Sequence, residues 1–242
     1  MTLFQPAVFW RYLLSADFAA AAGATLWISL AALALGLAVG LVLAVAQEAR
    51  LAAVRGCATL YVWLFRGTPV LLQVVFAFNV LPSFGVVLSG YACAVLALGL
   101  NEGAYMAEII RAGIGAVGPG QRDAGLALGL DARRTLRLVV LPQALRLAIP
   151  PIGNQFIGML KLSALISVIG VRELLLTADQ AASSNFRYFE ALSAAGAYYL
   201  LLTTLFMLVQ HRIERELGRG ARMAGSVPAS HVSALPRKRA TG

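Results

Sequence analysis

The sequence predicts an all-α integral membrane protein, a bundle of about five transmembrane helices. Three observations carry that reading. The 242 residues are 60% hydrophobic and only 13% charged, with a mean hydropathy of +0.78, which is more apolar surface than one soluble core can hide. Five stretches approach the roughly 20 apolar residues that a bilayer core demands. The basic residues behind the net charge of +9 gather in the gaps between those stretches. No aromatic–basic platform or zinc spacing accompanies them, so they are read as setting membrane orientation and no nucleic-acid partner is expected.

Taken in order, the spans are expected at residues 25–46, 69–88, 90–110, 149–168 and 188–210. Arg11 and Asp17 precede the first apolar run, which is longer than a signal-peptide core, so it is expected to stay as a span rather than be cleaved. Within it Gly36 and Gly40 form a GxxxG pair, a close-packing device that serves a helix of the same chain or a second copy. Pro82 and Gly85 divide the second span from the third, and Pro150, Pro151, Gly153 and Gly158 loosen the fourth. Such breaks survive in lipid only where neighbouring helices or a wet cavity satisfy the freed backbone, which argues for a packed bundle. Trp10, Tyr12, Trp63 and Tyr188 fall near span ends as interfacial anchors, whereas Tyr198 and Tyr199 fall within the last span and need partners for their hydroxyls. Cys57 in an expected loop and Cys93 in a span indicate neither a disulfide framework nor a metal site. The membrane-spanning region is assigned to residues 1–217, and residues 218–242, small, polar and basic through Arg237, Lys238 and Arg239, are expected to be a disordered tail.

Orientation follows from the basic residues. Segments 47–68, 111–146 and 211–242 carry 3, 6 and 7 of them, against Arg11, Arg172 and Arg187 on the other side. The positive-inside rule therefore predicts an N-terminus outside and a C-terminus in the cytoplasm.

That orientation makes residues 119–142 a cytoplasmic loop. Gly118, Pro119 and Gly120 end the preceding helix, and a short helix follows in which Leu126 and Leu130, four apart, are expected on one face. Ala124, Gly125 and Gly129 keep its sides low, and Arg122, Arg133, Arg134 and Arg137 surround it with positive charge. Two readings of these residues stand side by side: a helix that inserts into a groove on a soluble partner, and a helix lying on the inner leaflet.

The same loop carries a resemblance. Permease subunits of type I ABC importers have a cytoplasmic signature E-A-A-x3-G-x9-I-x-L-P, and this chain has Asp123-Ala124-Gly125, three residues, Gly129, nine residues, then Val139-Val140-Leu141-Pro142. The spacing matches throughout. Gly23-x-Thr25-Leu26, Phe65-Arg66-Gly67-Thr68-Pro69, the run from Ala104 to Ile114, and Leu141-Pro142-Gln143-Ala144 resemble the polar amino acid branch, which serves His, Lys, Arg, Gln, Glu and opines. At Lys161-Leu162-Ser163-Ala164-Leu165 the chain departs, with apolar residues at two positions that are usually polar. The resemblance implies a MetI-like permease fold in the cell inner membrane. It also implies an assembly of two permease subunits, identical or paralogous, two cytoplasmic ATPase subunits and an extracytoplasmic solute-binding protein. Gln121, Asp123, Ala124, Gly125, Leu126 and Gly129 would then form the ATPase-coupling surface. ATP and Mg would sit on the partner ATPase, with no cofactor bound by this chain; no G-x-x-x-x-G-K-[ST] phosphate loop occurs in it.

Charge inside a span costs about 2.5–3.5 kcal/mol on insertion scales and so requires a partner, water or a function. Glu102, Asn154, Lys161 and Ser163 are the expected substrate path: Glu102 for a solute's ammonium or guanidinium, Lys161 for a carboxylate. A structural pair of Glu102 with Lys161 or with a neighbouring subunit is the competing account. Glu108 is expected to pair with Arg111, three residues on. Against the importer reading stands a self-contained secondary transporter or channel, disfavoured by the partner-like loop and the lack of an inverted repeat. A membrane enzyme finds no constellation, since His211 and His231 both fall in the tail region.

Overall fold

The computed structural model describes residues 4–225, with side chains to residue 217. Several helices start on a side-chain cap or on a proline. A short helix α1 (Pro6–Leu13) starts on a proline, whose missing N–H costs nothing at a first turn. Helix α2 (Ala16–Gln47) begins well before the expected residue 25, because the Ser15 hydroxyl accepts from the Phe18 amide at 3.3 Å and Asp17 lies in the positive first turn. Helix α5 (Gly90–Ala116) starts on Ser89 in the same way and extends past the expected end at 110. Helix α10 (Tyr188–Gly225) outruns its expected end at 210, so the first turns of the stretch read as a tail are helical, and the remainder of that stretch lies outside the described residues.

The second crossing is not the single run 69–88 that hydropathy picks out. Residues 52–67, read as a cytoplasmic loop holding Cys57, form helix α3 (Ala52–Gly67), and helix α4 (Val70–Asn79) follows after a bend of 103°. The bend is local chemistry: Pro69 removes a donor and forces Thr68 to an extended backbone (φ −116°, ψ 147°). Ala58 and Val62 of α3 are buried against Leu43, Ala104 and Ala107, while Leu60, Trp63 and Leu64 remain exposed. An amphipathic helix with Arg50, Arg55 and Arg66 around it looks like a loop to a hydropathy window. A 3-10 turn at Leu81–Phe84 closes on Gly85, whose φ of +79° suits glycine.

The bend would strand carbonyls in hydrocarbon. Two side chains prevent this. Gln73 Nε2 donates to the Phe65 carbonyl at 3.0 Å and to Thr68 Oγ1 at 2.8 Å, and buried Asn101 donates to the Phe65 carbonyl at 2.9 Å and to Gln73 Oε1 at 3.1 Å.

The fourth span is likewise longer than 149–168. It begins in helix α8 (Leu141–Leu162) and continues as a 3-10 stretch, Ser163–Ile169, so Pro150 and Pro151 lie inside a helix rather than at its start. Gln210 of α10 donates to the Pro150 carbonyl at 3.1 Å and covers Gly153. Helix α9 (Leu174–Ser183) then leads to α10. Buried Glu173 caps it, accepting from the amides of Leu175 at 2.8 Å and Leu176 at 2.7 Å and from the Tyr199 hydroxyl at 2.7 Å. Burial pushes this carboxyl upward from its ordinary pKa, and the two amides and the hydroxyl pull it back. Tyr198 donates to the Leu13 carbonyl at 2.8 Å, so Tyr198 and Tyr199 both find the partners they need.

The centre of the bundle is the parallel pair α2 and α5. Gly36 and Gly40 face Glu102 and Met106, and in return Gly99 and Gly103 of α5 face Leu35 and Val39. The GxxxG pair of α2 thus has a reciprocal pair in its own chain, where small residues let backbones approach closely.

Gly40→Leu is therefore expected to destabilise the folded bundle by about 1–3 kcal/mol, the usual cost of overpacking. Gly23→Ala, with nothing within 4 Å of its added Cβ, should be neutral or stabilise by up to about 1 kcal/mol. Thermal melts in detergent check both. Asn101→Leu should cost about 1–3 kcal/mol by leaving elbow groups unpaired; a melt equal to that of the unmodified protein would refute that role.

Candidate functional site

Two regions hold the candidate functional residues. The first is a helical hairpin after α5. Val117 leaves the helix in an extended conformation, Pro119 opens helix α6 (Pro119–Ala127), and Asp131 opens the one-turn helix α7 (Ala132–Thr135) by accepting from the Arg134 amide at 2.7 Å. Leu136–Val140 is wound as a π turn and runs directly into α8. The hairpin is therefore continuous with one span at its start and another at its end.

Its details differ from the sequence reading in two respects. Leu126 and Leu130 do not share a helix face, because α6 stops at Ala127 and Gly129 turns the chain with φ +80°. The Gly129 amide donates to the Leu126 carbonyl at 2.9 Å and the Leu130 amide to the Gly125 carbonyl at 3.1 Å, the bond pair of a Schellman ending. Gly125 also does not present a bare side to the outside. It is buried against Thr135, and an added Cβ would come within 2.7 Å of Thr135 Cγ2. Gly125 locks the hairpin; Gly129 turns it.

What remains outward is compact. Gln121, Asp123 and Ala124 are exposed, as are Leu126 and Leu128 at 52% and 83%. Gln121 accepts from Gln143 Nε2 at 3.1 Å, which ties α6 to the first turn of α8. A depression of about 290 Å³ lies between the two limbs, walled by Arg122, Leu126, Ala132, Thr135, Leu136 and Val140.

The second region is polar and lies among the spans. Glu102 is 2% exposed, wedged against Gly36, and accepts from Gln155 Nε2 at 3.2 Å. It is not paired with Lys161, so the expected structural pair between them does not exist in this chain. Asn154 and Lys161 share an exposed face of α8, as their spacing of two helical turns requires. Asn154 Oδ1 accepts from Gln210 at 3.3 Å, whereas Lys161 makes no ion pair among the described residues. Ser163 stands apart from that face. It is fully buried in the 3-10 stretch and donates to the Leu160 carbonyl at 2.8 Å.

Glu108 has the structural role expected of it and a wider one. Its carboxylate lies 3.5 Å from Arg111 and 3.3 Å from Arg66, Arg111 reaches Glu48 at 3.4 Å, and Arg66 also lies over the Tyr105 ring at 5.4 Å. The chain of charges binds the ends of α2, α3 and α5 together. Sequence spacing reveals only the Glu108–Arg111 step; the Arg66 and Glu48 steps depend on where α3 turns.

The comparisons with known proteins agree with this architecture. Residues 36–219 match the family of the binding-protein-dependent transport system inner membrane component. The arginine transport system permease protein ArgU of Corynebacterium glutamicum is 37% identical over 224 residues, covering 87% of this chain and 71% of that protein. The glutamine transport system permease protein GlnP of Escherichia coli K12 is 39% identical over 195 residues, covering 80% and 89%. A crystal structure of an amino acid ABC transporter with histidines superposes with a TM-score of 0.79 at 38% identity, over 83% of this chain and 94% of that one. An inward-facing structure of the MetNI methionine ABC transporter has a TM-score of 0.68 at 18% identity, which speaks for the fold alone. With the helical hairpin continuous with two spans and the family match running from the first span through the last, this chain belongs to the binding-protein-dependent transport system inner membrane components, the permease subunits of ABC importers.

Proposed function

We propose that this permease carries a polar amino acid across the inner membrane, driven by a separate cytoplasmic ATPase that grips α6. The observation that carries the reading is the hairpin: a short helix with exposed Asp123, Leu126 and Leu128, braced from behind by Gly125 against Thr135 and joined to two spans. A lever must be stiff to transmit force. ATP and Mg2+ act on the ATPase, and the chain's own part is to couple and to conduct. Relatives that transport arginine and glutamine support a polar amino acid as solute. The basic residues on the hairpin side support an N-terminus outside and a C-terminus inside.

In this reading the ATPase pair, closing on ATP, draws together the α6 hairpins of two permease copies or paralogues. The spans then exchange inward-facing and outward-facing states, a two-state equilibrium biased by whichever partner binds one state better. The solute meets the face of α8 that carries Asn154 and Lys161. An exposed cation within a span needs water, a partner subunit or an anionic group, and a solute carboxylate supplies the last. Glu102, held by Gln155, lies one side chain behind the surface and adds negative potential for a solute ammonium.

Removing an apolar anchor from a partner's cleft costs about 2 kcal/mol or more. Leu126→Glu should therefore weaken ATPase association roughly thirtyfold and abolish solute-stimulated hydrolysis while the permease stays in the membrane; undiminished coupled hydrolysis would refute the coupling role. For the path, Lys161→Met and Glu102→Gln are expected to insert normally and to keep basal hydrolysis but lose uptake in proteoliposomes. Loss of insertion instead would assign both residues to structure.

A further inference from the structure

Three arginines mark the outer end of the bundle: Arg11, Arg172 and Arg187. Arg187 is committed, with Nη1 3.6 Å from the buried Glu190 carboxylate. Arg11 and Arg172 are exposed, and neither guanidinium makes a hydrogen bond or ion pair among the described residues. One comes from α1 and the other from the link before α9, yet both line the same depression of about 330 Å³, together with Tyr12, Asp17, Thr177 and Gln180. A smaller hollow of about 210 Å³ shares Asp17, Arg172 and Thr177 and continues it toward Tyr91.

The walls of this depression are fixed without help from either guanidinium. Ser15 donates to the Tyr12 carbonyl at 2.8 Å and caps α2, the Tyr12 hydroxyl accepts from Asn185 at 2.6 Å, and Tyr91 donates to the Arg172 backbone carbonyl at 3.4 Å. Tyr12 stacks on buried Phe18 with ring centroids 5.6 Å apart, so it packs and bonds rather than serving only as an interfacial anchor. The sole carboxylate in the lining, Asp17, pairs with neither arginine. Two free guanidiniums and one carboxylate leave a surplus of one positive charge in a preformed, hydrogen-bonding recess.

We propose that this recess is a docking socket for an acidic side chain, Asp or Glu, of the extracytoplasmic binding protein, clamped between Arg11 and Arg172. The proposal rests on the orientation inferred above. A guanidinium binds a carboxylate through two parallel N–H bonds, giving orientation as well as attraction, and unpaired arginines at an exposed rim speed encounter with an acidic partner. A protein carboxylate is favoured over a lipid phosphate by the setting. A permease of a binding-protein-dependent system has to receive a soluble protein on its outer end, whereas headgroups surround the flanks. The contact would set the register in which solute is released above the α8 face.

The test uses the complete importer in nanodiscs of zwitterionic phosphatidylcholine with its cognate binding protein, reading the concentration of that protein needed for half-maximal stimulation of ATP hydrolysis. For Arg11→Glu/Arg172→Glu this concentration should rise about tenfold, with a flatter salt dependence and unchanged hydrolysis in the absence of binding protein. Arg172→Gln, which removes a guanidinium that makes no hydrogen bond or ion pair among the described residues, should show a smaller rise at normal yield. Replacing the responsible acidic residue of the binding protein with Lys should restore the charge-reversed importer. Unchanged half-maximal concentrations in both variants, beside a stimulated unmodified importer, would overturn the socket and leave the transport reading intact. An effect confined to discs of anionic lipid would overturn it in favour of a headgroup site. No stimulation of the unmodified importer would overturn the socket together with the reading beneath it.

Discussion

Hydrocarbon offers no hydrogen bonds, and that constraint explains how this chain can break its helices inside a membrane. Each interruption carries its own replacement partner. Gln73 and Asn101 take the carbonyls freed at the α3–α4 bend, and Gln210 takes the carbonyl of Pro150. Asn101 and Gln210 arrive from elsewhere in the fold. The breaks therefore fold only when the bundle does, and the bends become fixed shapes rather than loose joints.

The same economy governs how force could pass through the molecule. Helices α2 and α5 interlock by reciprocal glycines, and the charge chain from Glu48 through Arg111 and Glu108 to Arg66 fastens the ends of three helices. Helix α6 hangs from α5 and feeds, through α7 and the π turn, into α8, with Gln121 bonded to Gln143 as a cross-brace. A displacement at α6 has few soft places in which to dissipate. The face of α8 bearing Asn154 and Lys161 lies further along that connection, which joins α6 to the polar face through continuous chain and the Gln121–Gln143 bond.

Much was legible in the sequence because it is one-dimensional information. The apolar runs around α2, α5 and α10, the cytoplasmic signature from Asp123 to Pro142, and the i,i+3 pair of Glu108 and Arg111 depend on spacing along one chain. The errors share a cause as well. Helix α3 reads as a loop from sequence because half of its surface is polar or small, and its apolar side becomes visible only once Leu43, Ala104 and Ala107 stand opposite. Spacing places Leu130 on a helix face because periodicity cannot see the left-handed turn at Gly129.

Composition and spacing by themselves determined that this chain spans a membrane as a helical bundle, and where the hairpin between its spans begins and ends, since transfer into lipid and helical period are local properties of residues. The tertiary structure decided which polar groups are spent on the fold and which remain free. It gave Glu102 to Gln155, Gly125 to Thr135 and Ser163 to a backbone carbonyl, and it left Lys161, Arg11 and Arg172 without partners among the described residues. Those outcomes turn on a few ångströms between segments far apart in sequence, and only packing sets such distances.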